Sequence, residues 1–209
     1  MNRKFFYPYL LAVLSIIFLF CIFSQTSIFA GQTDGLLKAM GKIGFAPVEK
    51  SGQTIPSATK DGADLQTGDD GDLQIGISPP EPRFIDNEDG TVTDKLTGLM
   101  WTKDAQEIPG LMDWWDAIEA CNDLEFAGWD DWRMPNVKEM LSLIDYGYYD
   151  PALTPDHPFL YIPPYPGVYW SSTTLAVNND AFHVPISNGT VNHVGKAGLK
   201  YVWPVRGGN

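Results

Sequence analysis

The stretch Phe84–Trp101, FIDNEDGTVTDKLTGLMW, decides the fold of this chain. Its Asp89-Gly90 pair stands between two β-prone segments, and glycine accepts the positive φ that a type I′ hairpin turn requires. A second turn at Lys95–Gly98 leads into Leu99–Thr102, an apolar run that predicts a core strand. The stretch therefore predicts antiparallel strands joined by tight turns.

Two helices are predicted after this stretch. The first covers Asp113–Phe126 and stops before Gly128. Asp113 is its predicted N-cap, because a carboxylate oxygen can accept hydrogen bonds from the free amides of the first turn. The second helix begins at Asn136, and Glu139 three residues later completes a capping box.

The last third of the chain predicts a proline-rich loop followed by more strands. Prolines recur from Pro151 to Pro166, which excludes a regular element there. The predicted strands are Val168–Thr174, then Ala181–Ile186 and Thr190–Val194 around an Asn188-Gly189 turn, and finally Tyr201–Arg206. Pro204 cannot donate a ladder hydrogen bond, so the last strand is expected at an edge or a bulge. Two helices with antiparallel hairpins predict an α+β fold.

The first thirty residues have the three parts of a secretory signal. Arg3 and Lys4 precede an uncharged run that ends at Phe29, and Ala30 suits a signal peptidase. The alternative is an uncleaved anchor, since the run approaches the ~20 residues that span a bilayer. Both interpretations place the folded part in a secreted, periplasmic or cell-surface location. The predicted organisation is a signal peptide (1–30), a flexible Gly/Asp/Thr-rich leader (31–80) and one domain (81–208).

Charge and cysteine content exclude several function classes. The net charge of −12 becomes −14 when residues 1–30, with two basic and no acidic residues, are removed. Such an acidic surface repels nucleic acid and anionic headgroups, so no membrane contact is expected beyond a retained anchor. Cys121 is then the one remaining cysteine, which excludes an internal disulfide. Its helical spacing from apolar neighbours predicts a buried packing residue.

No catalytic motif is present. The sequence lacks a Gly-x-Ser-x-Gly elbow and a glycine-rich phosphate loop after a strand. Asp130 and Asp131, between Trp129 and Trp132, are the most suggestive acid–base candidates, because an apolar wall can raise the pKa of a carboxyl group. The same residues also suit a turn between two helices. We therefore predict a binding or scaffolding domain and no catalytic residues.

Metal binding is weighed at two places. His183 and His193 stand five residues before and after Asn188, so they could lie roughly opposite each other on a hairpin. No third ligand is evident, and no metal site is predicted there. The Asp-rich turns 69–72 and 86–90 offer oxygen ligands but do not continue into an EF-hand loop. Turn chemistry explains them without metal, and calcium remains the one cofactor left open.

Four ordered blocks together resemble the Legionella collagen-like protein C-terminal (Lcl C-terminal) domain family. They are FIDNEDGTVTDKLTGLMW (84–101), WDDWRMPNVKEMLSLID (129–145), YWSST (169–173) and YVWPVRGG (201–208). The resemblance covers roughly residues 81–208. It implies a compact fold of the C-type-lectin-like and sulfatase-modifying-factor-like group, in which Trp-Arg-x-Pro (132–135) begins the second helix.

The same resemblance implies a secreted or cell-surface binding module with sugars among its partners. Two departures limit what carries over. The Glu-Pro-Asn and Trp-Asn-Asp calcium–sugar signatures of true C-type lectins are absent, and the acidity of the chain does not support a cationic surface for sulfated glycans. Cys121 alone cannot reproduce the active cysteines of the sulfatase-modifying enzymes.

The sequence therefore predicts a non-catalytic module that binds a glycan or a surface partner. The alternative is a structural or interaction domain of an envelope assembly that uses the proline-rich loop, and an enzyme ranks last. Candidate ligand-binding residues are aromatic and polar side chains on predicted turns, loops and the last hairpin: Trp129, Asp130, Asp131, Tyr161, Tyr165, Asn178, Asn179, Asp180, His183 and His193.

Overall fold

The computed structural model describes residues 48–54 and 69–207. The predicted signal peptide and much of the predicted leader lie outside the described residues. The chain from Val48 onward clusters into one compact unit. Among the described residues, no helix combines the length and the apolar composition needed to cross a bilayer.

The described residues form short helices and antiparallel sheets, which confirms the predicted α+β class. The helices are α1 (Asp70–Leu73), α2 (Trp114–Asn122) and α3 (Val137–Ser142). The strands are β1 (Phe84–Asp86), β2 (Thr91–Asp94), β3 (Leu99–Thr102), β4 (Val168–Thr174), β5 (Ala181–Pro185), β6 (Asn192–Val194) and β7 (Val205–Gly207).

The predicted first hairpin opens a four-stranded antiparallel sheet of order β1-β2-β3-β7. Gly90 takes φ +90°, but the second residue with positive φ is Glu88 and not Asp89. The hairpin tip is therefore a longer loop closed by the hydrogen bond from the Asn87 amide to the Thr91 carbonyl, and the predicted type I′ turn is wrong.

Val92 pairs with Trp101, which pairs in turn with Val205, and all three are fully buried. Strand residues in register share a face, so this row forms the inner face of the sheet.

An aromatic cluster fills the core beneath that face. Trp203 packs against Trp101 and Phe159, with ring centroids 5.6 Å and 4.8 Å apart. Its indole N–H donates to the Thr102 carbonyl at 2.9 Å. Edge-to-face contacts between aromatic rings add a directional attraction to the burial of apolar area. Through these contacts, Trp203, which precedes β7, joins Trp101 of β3 to Phe159 of the proline-rich loop in the core.

The second sheet has three antiparallel strands in the order β4-β5-β6. Helix α3 packs on β4 and β5, and α2 packs on β4. Cys121 of α2 is fully buried in an apolar cluster that includes Trp170 and Val202. The prediction that this cysteine is a packing residue is confirmed.

The first long helix ends earlier than predicted. It begins at the predicted cap, Asp113, but stops at Asn122, and Phe126 lies in a tight turn. The Phe126 and Trp129 backbones exchange two hydrogen bonds of 3.0 Å. Ala127 and Gly128 both have positive φ between them, as in a type I′ turn. The chain forms this tight turn in place of a further turn of helix, so α2 ends before Phe126.

The C-terminal strand predictions need two corrections. Tyr201 does not belong to β7 but forms an isolated parallel bridge with Tyr169, so the last strand begins at Val205. Strand β7 does lie at the edge of the first sheet, as Pro204 indicated. Strand β6 begins at Asn192, because the Thr190 amide and hydroxyl both bind the Asn188 side chain in the turn.

Part of the predicted leader contacts the domain. Two parts of the leader pair with each other: the Lys50 amide donates to the Ile77 carbonyl at 3.1 Å, and the Ile77 amide donates to the Val48 carbonyl at 3.0 Å. The Tyr146 amide donates to Ser51 at 2.8 Å. The predicted turn at 69–72 forms the single helical turn α1. No pattern in the sequence predicts these contacts.

Candidate ligand-binding surfaces

The register of β5 and β6 separates the two strand histidines. His183 lies opposite Asn192, and His193 lies opposite Phe182. Successive strand residues point to opposite faces, so the two imidazoles lie on opposite faces of the sheet and cannot bind one metal ion together. The predicted placement of these histidines opposite each other is wrong, because the turn shifts the pairing by one residue.

Several of the predicted residues form one chain of contacts that reaches a solvent-exposed tryptophan through Lys196. We define the Trp115 surface as the side chains of Trp115, Asn178, Asn179, Asp180, His193 and Lys196. Trp115 is 52% exposed. It lies in the first turn of α2, where the Asp113 carboxylate accepts hydrogen bonds from the Trp115 and Asp116 amides at 3.0 Å each.

The turn before β5 places the amide and carboxylate groups of this surface. The Asp180 amide donates to the Asn178 Oδ1 at 3.2 Å, and Asn179 takes a left-handed φ of +61°. The Asp180 Oδ2 accepts a hydrogen bond from Asn178 Nδ2 and contacts His193 Nδ1, both at 2.9 Å. Asp180 therefore fixes the orientation of both neighbouring side chains.

Lys196 connects the polar side chains to the indole rings. Its side chain is only 9% exposed, and its Nζ donates to the Asn179 Oδ1 at 3.0 Å. The Nζ lies 3.9 Å from the centroid of the Trp114 ring and 5.9 Å from that of Trp115. The ammonium is thus stabilised by the π faces of two tryptophans and one amide oxygen.

Trp129 and Asp131 form a different group around Arg206. The Arg206 guanidinium lies 3.6 Å from the Trp129 ring centroid and donates to both Asp131 oxygens, at 2.6 Å and 3.1 Å. Hydrogen bonds from Arg206 lower the pKa of Asp131. Asp131 therefore lacks the raised pKa that a general acid at this position would need. Asp130 lines a shallow, polar cavity of about 490 Å³ beside Trp129.

Both tyrosine candidates of the proline-rich loop are exposed. The Gln106 side chain donates to the Tyr161 carbonyl at 2.8 Å, and the Tyr165 amide donates to Asp150 Oδ1 at 3.2 Å. Tyr165 lines a cleft, whereas Tyr161 points into solvent with 71% of its surface exposed. The two side chains are not brought together with the Trp115 surface by any contact among the described residues.

The Asp-rich turn before β2 uses its carboxylates internally. Asp86 accepts hydrogen bonds from the Glu88 amide and from Lys103 Nζ, at 3.0 Å and 2.6 Å. Asp89 accepts from the Thr91 amide and hydroxyl. In the described part of the chain, no group of three or more His, Cys, Asp or Glu side chains could hold a metal ion.

The Lcl C-terminal domain family model matches residues 90–206, more than half of the chain. The chain belongs to the Lcl C-terminal domain family. The matched region runs from the first hairpin turn to β7 and includes the whole Trp115 surface. No curated protein matches this Lcl C-terminal domain chain.

Sequence reasoning missed two residues of the Trp115 surface. Sequence patterns place Trp115 within the predicted helix 113–126, but neither Trp115 nor Lys196 is among the candidate ligand-binding residues that they indicate. One signal was available: Trp114 and Trp115 are adjacent, and neighbouring helical positions differ by about 100° in direction, so both cannot face the core. Lys196 lies 81 positions from Trp115 in the sequence, so no local pattern reveals that the two side chains lie close together.

Proposed function

We propose that this member of the Lcl C-terminal domain family is an exported, non-catalytic module that binds carbohydrate through the Trp115 surface. The observation that carries the proposal is the exposed indole of Trp115, which Lys196 links to an ordered set of amide, carboxylate and imidazole groups. A sugar presents C–H groups on one ring face and hydroxyl groups at its edge. The indole ring can stack on the C–H face of the sugar, and the polar side chains can form hydrogen bonds with its hydroxyl groups.

The charge of the chain favours neutral sugars as ligands. The net charge is −12, and the side chains of the Trp115 surface include one carboxylate and one lysine. Asp180 can accept hydrogen bonds from hydroxyl groups, and the two asparagines can both accept and donate them, whereas a polysulfated chain would meet long-range repulsion. The uncharged N-terminal run supports export to a secreted, periplasmic or cell-surface location.

The state of the nucleophile and acid candidates supports a non-catalytic role. Burial raises the pKa of the Cys121 thiol to about 12, so a thiolate is not formed at neutral pH. Asp131 is held as an ion-pair partner of Arg206. His193 contacts Asp180 at 2.9 Å, and no hydroxyl or thiol of the described residues is hydrogen-bonded to its ring as a nucleophile would be.

We also assign the domain to the C-type-lectin-like and sulfatase-modifying-factor-like group. Its two longer helices and its antiparallel sheets support this assignment. The capping box at Asn136, directly after Trp132–Pro135, supports it further, because the group begins its second helix at this motif.

A glycan array with the full chain at physiological salt, with and without calcium, tests the carbohydrate proposal. We expect selective binding of neutral glycans, and we expect Trp115→Ala to weaken that binding by about tenfold or more, since stacking platforms carry much of the binding energy. Tyr149→Ala is the matched control, because Tyr149 is an exposed aromatic residue outside the Trp115 surface. Binding to no sugar under either condition overturns the proposal, as does unchanged binding by a folded Trp115→Ala variant.

One observation favours the alternative role in an envelope assembly. Exposed large side chains cluster along the proline-rich loop: Tyr148, Tyr149, Leu160, Tyr161 and Tyr165. Aromatic residues are enriched where proteins bind each other. In cross-linking of intact cells, the wild-type chain would then form a defined adduct that a Leu160→Ser/Tyr161→Ser variant loses. Retention of glycan binding by that variant separates the two roles.

A further inference from the structure

The cleft that Tyr165 lines lies between the proline-rich loop and the segment before β7. Its volume is about 440 Å³, within the range of sites for one small ligand. Pro163–Val168 line one side, and Leu111 and Leu199–Tyr201 line the other. None of these residues belongs to the Trp115 surface.

Backbone hydrogen bonds hold both walls of this cleft in place. The Met112 and Lys200 backbones exchange two hydrogen bonds of 3.0 Å. The Tyr201 amide donates to the Val168 carbonyl at 3.1 Å. The Gly167 amide donates to Pro164 at 2.9 Å, and a Cβ at Gly167 would lie 2.4 Å from the Pro163 carbonyl oxygen. The cleft is thus part of the folded framework.

Lys200 is the one charged residue among the side chains that line the cleft. It is partly buried, and its Nζ lies 5.1 Å from the centroid of the Trp170 ring. Within residues 48–54 and 69–207, no carboxylate lies within ion-pair distance of this ammonium. Burial accordingly lowers the pKa of Lys200. In a strongly acidic protein, this cation is left without its usual partner.

His183 adds a second nitrogen group without an anionic partner. Its ring meets Trp170 edge-on, with centroids 6.0 Å apart, and its buried Nδ1 has no hydrogen-bond partner among the described residues. Burial, and then the charges of Lys200 and His193, lower the pKa of His183 to about 4. Trp170 therefore contacts both an ammonium and a neutral imidazole, and no carboxylate of the described residues pairs with the ammonium.

We propose that this cleft binds a small carboxylate with an apolar or aromatic body. The carboxylate pairs with the Lys200 ammonium, and the body packs against Tyr165, Leu199 and the proline wall. Charge complementarity argues for the anion, since a partly buried ammonium gains most from an opposite charge. The cleft offers few hydrogen-bonding side chains besides Lys200 and two tyrosines, which disfavours a neutral sugar as its occupant.

The required chemistry is a carboxylate attached to an apolar group. A free arylalkyl acid has it, and so does a peptide that ends in an apolar residue. Two probes distinguish these sources: 3-phenylpropionate, and a tripeptide with a C-terminal phenylalanine. The neutral counterparts, 3-phenylpropanamide and the C-terminally amidated tripeptide, have the same bodies without the charge.

Titration of the full chain, followed by NMR signals of the histidine rings, tests the proposal. We expect at least one acid to bind about tenfold more tightly than its amide, as an ion pair in a partly dry cleft implies. The binding should raise the pKa of His183 from about 4, because the carboxylate offsets the charge of Lys200. If Lys200 had only a structural role, ligand binding would leave the pKa of His183 unchanged.

Lys200→Met should abolish the preference for acid over amide, and Lys138→Met, which changes an exposed lysine outside the cleft, should keep it. Trp115→Ala should also keep it, so the test is independent of the carbohydrate proposal. If each acid and its amide bind equally, or if neither binds saturably, the proposal is wrong. The comparison of acid and amide on the wild-type chain decides this even if Lys200→Met fails to fold.

Discussion

Two arginine–aspartate pairs in this domain have the same geometry in opposite surroundings. In the first sheet, Arg83 donates from Nε and Nη2 to the two oxygens of Asp94, at 3.1 Å and 2.9 Å. At the surface, Arg206 donates from the same two nitrogens to Asp131, at 2.6 Å and 3.1 Å. Distances alone would rank the pairs as equals.

Solvent access separates them. The Asp94 side chain is 0% exposed and also accepts hydrogen bonds from the Leu96 amide and the Thr97 hydroxyl. Arg83 further contacts Glu49 and the Ser142 carbonyl, so the buried pair connects three parts of the chain. The Asp131 side chain is 55% exposed. Water can replace Arg206 as its partner, whereas nothing replaces the partners of Asp94.

Asp94→Ala should produce the largest effect. The substitution leaves the 6%-exposed guanidinium of Arg83 with Glu49 as its one remaining carboxylate partner among the described residues and frees the amide of Leu96. Breaking a buried pair from one side typically costs about 3–5 kcal/mol. Urea denaturation at neutral pH measures the change in the free energy of unfolding. A loss comparable to that of a surface substitution would show that burial does not distinguish the two pairs.

The histidines of the second sheet extend the comparison to pH. The pKa of His183 is about 4 in the folded chain, below the 6.5 of a free imidazole. Between those values the unfolded chain binds a proton that the folded chain does not, so the free energy of unfolding falls as pH falls from 6.5 towards 4. Because the ring is partly exposed, we expect His183 to contribute roughly 1–2 kcal/mol of this loss.

Denaturation of the wild type and His183→Gln at pH 7 and pH 4.5 checks that expectation. The variant should lose less stability than the wild type between the two pH values. His157, whose pKa is also lowered by burial, remains in both proteins and contributes equally to each. An identical loss in both proteins would mean that His183 is solvated like an ordinary surface histidine.

Asp131→Ala should produce the smallest effect. The pair is exposed, and the Arg206 guanidinium keeps its contact with the Trp129 ring after the carboxylate is removed. The urea midpoint should stay within experimental error of the wild type, with or without 1 M salt, since exposed ion pairs contribute little. A destabilisation as large as that of Asp94→Ala would show that solvent exposure does not weaken the contribution of the Arg206–Asp131 pair.

The predictable parts of the fold depend on residues close together in sequence. The capping box of α3 is an example: the Asn136 side chain accepts from the Glu139 amide at 3.0 Å, and Glu139 accepts from the Asn136 amide at 2.8 Å. The Asp89-Gly90 hairpin is another. In both, the side chain that decides the geometry lies within four residues of the backbone it controls.

The parts that escaped prediction depend on long-range contacts or on exact register. Lys196 reaches Trp114 across 82 positions, and Arg83 reaches Asp94 across a hairpin. A shift of one residue in pairing moved His183 and His193 to opposite faces. Of the predicted site, the neighbours Asn178, Asn179 and Asp180 converged with His193, because the turn and the edge strand beside it are themselves local.

The segment before α1 has a mechanical consequence. The hydrogen bond from the Tyr146 amide to the Ser51 carbonyl and the Glu49–Arg83 ion pair join this segment to the domain. The hydrogen bonds of Val48 and Lys50 with Ile77 pair it with the chain that follows α1. A pull on the chain ahead of Val48 would therefore load these contacts before it reached the first sheet. These contacts would resist the pull together, and Arg83 would transmit it to the core because it is also paired with the buried Asp94.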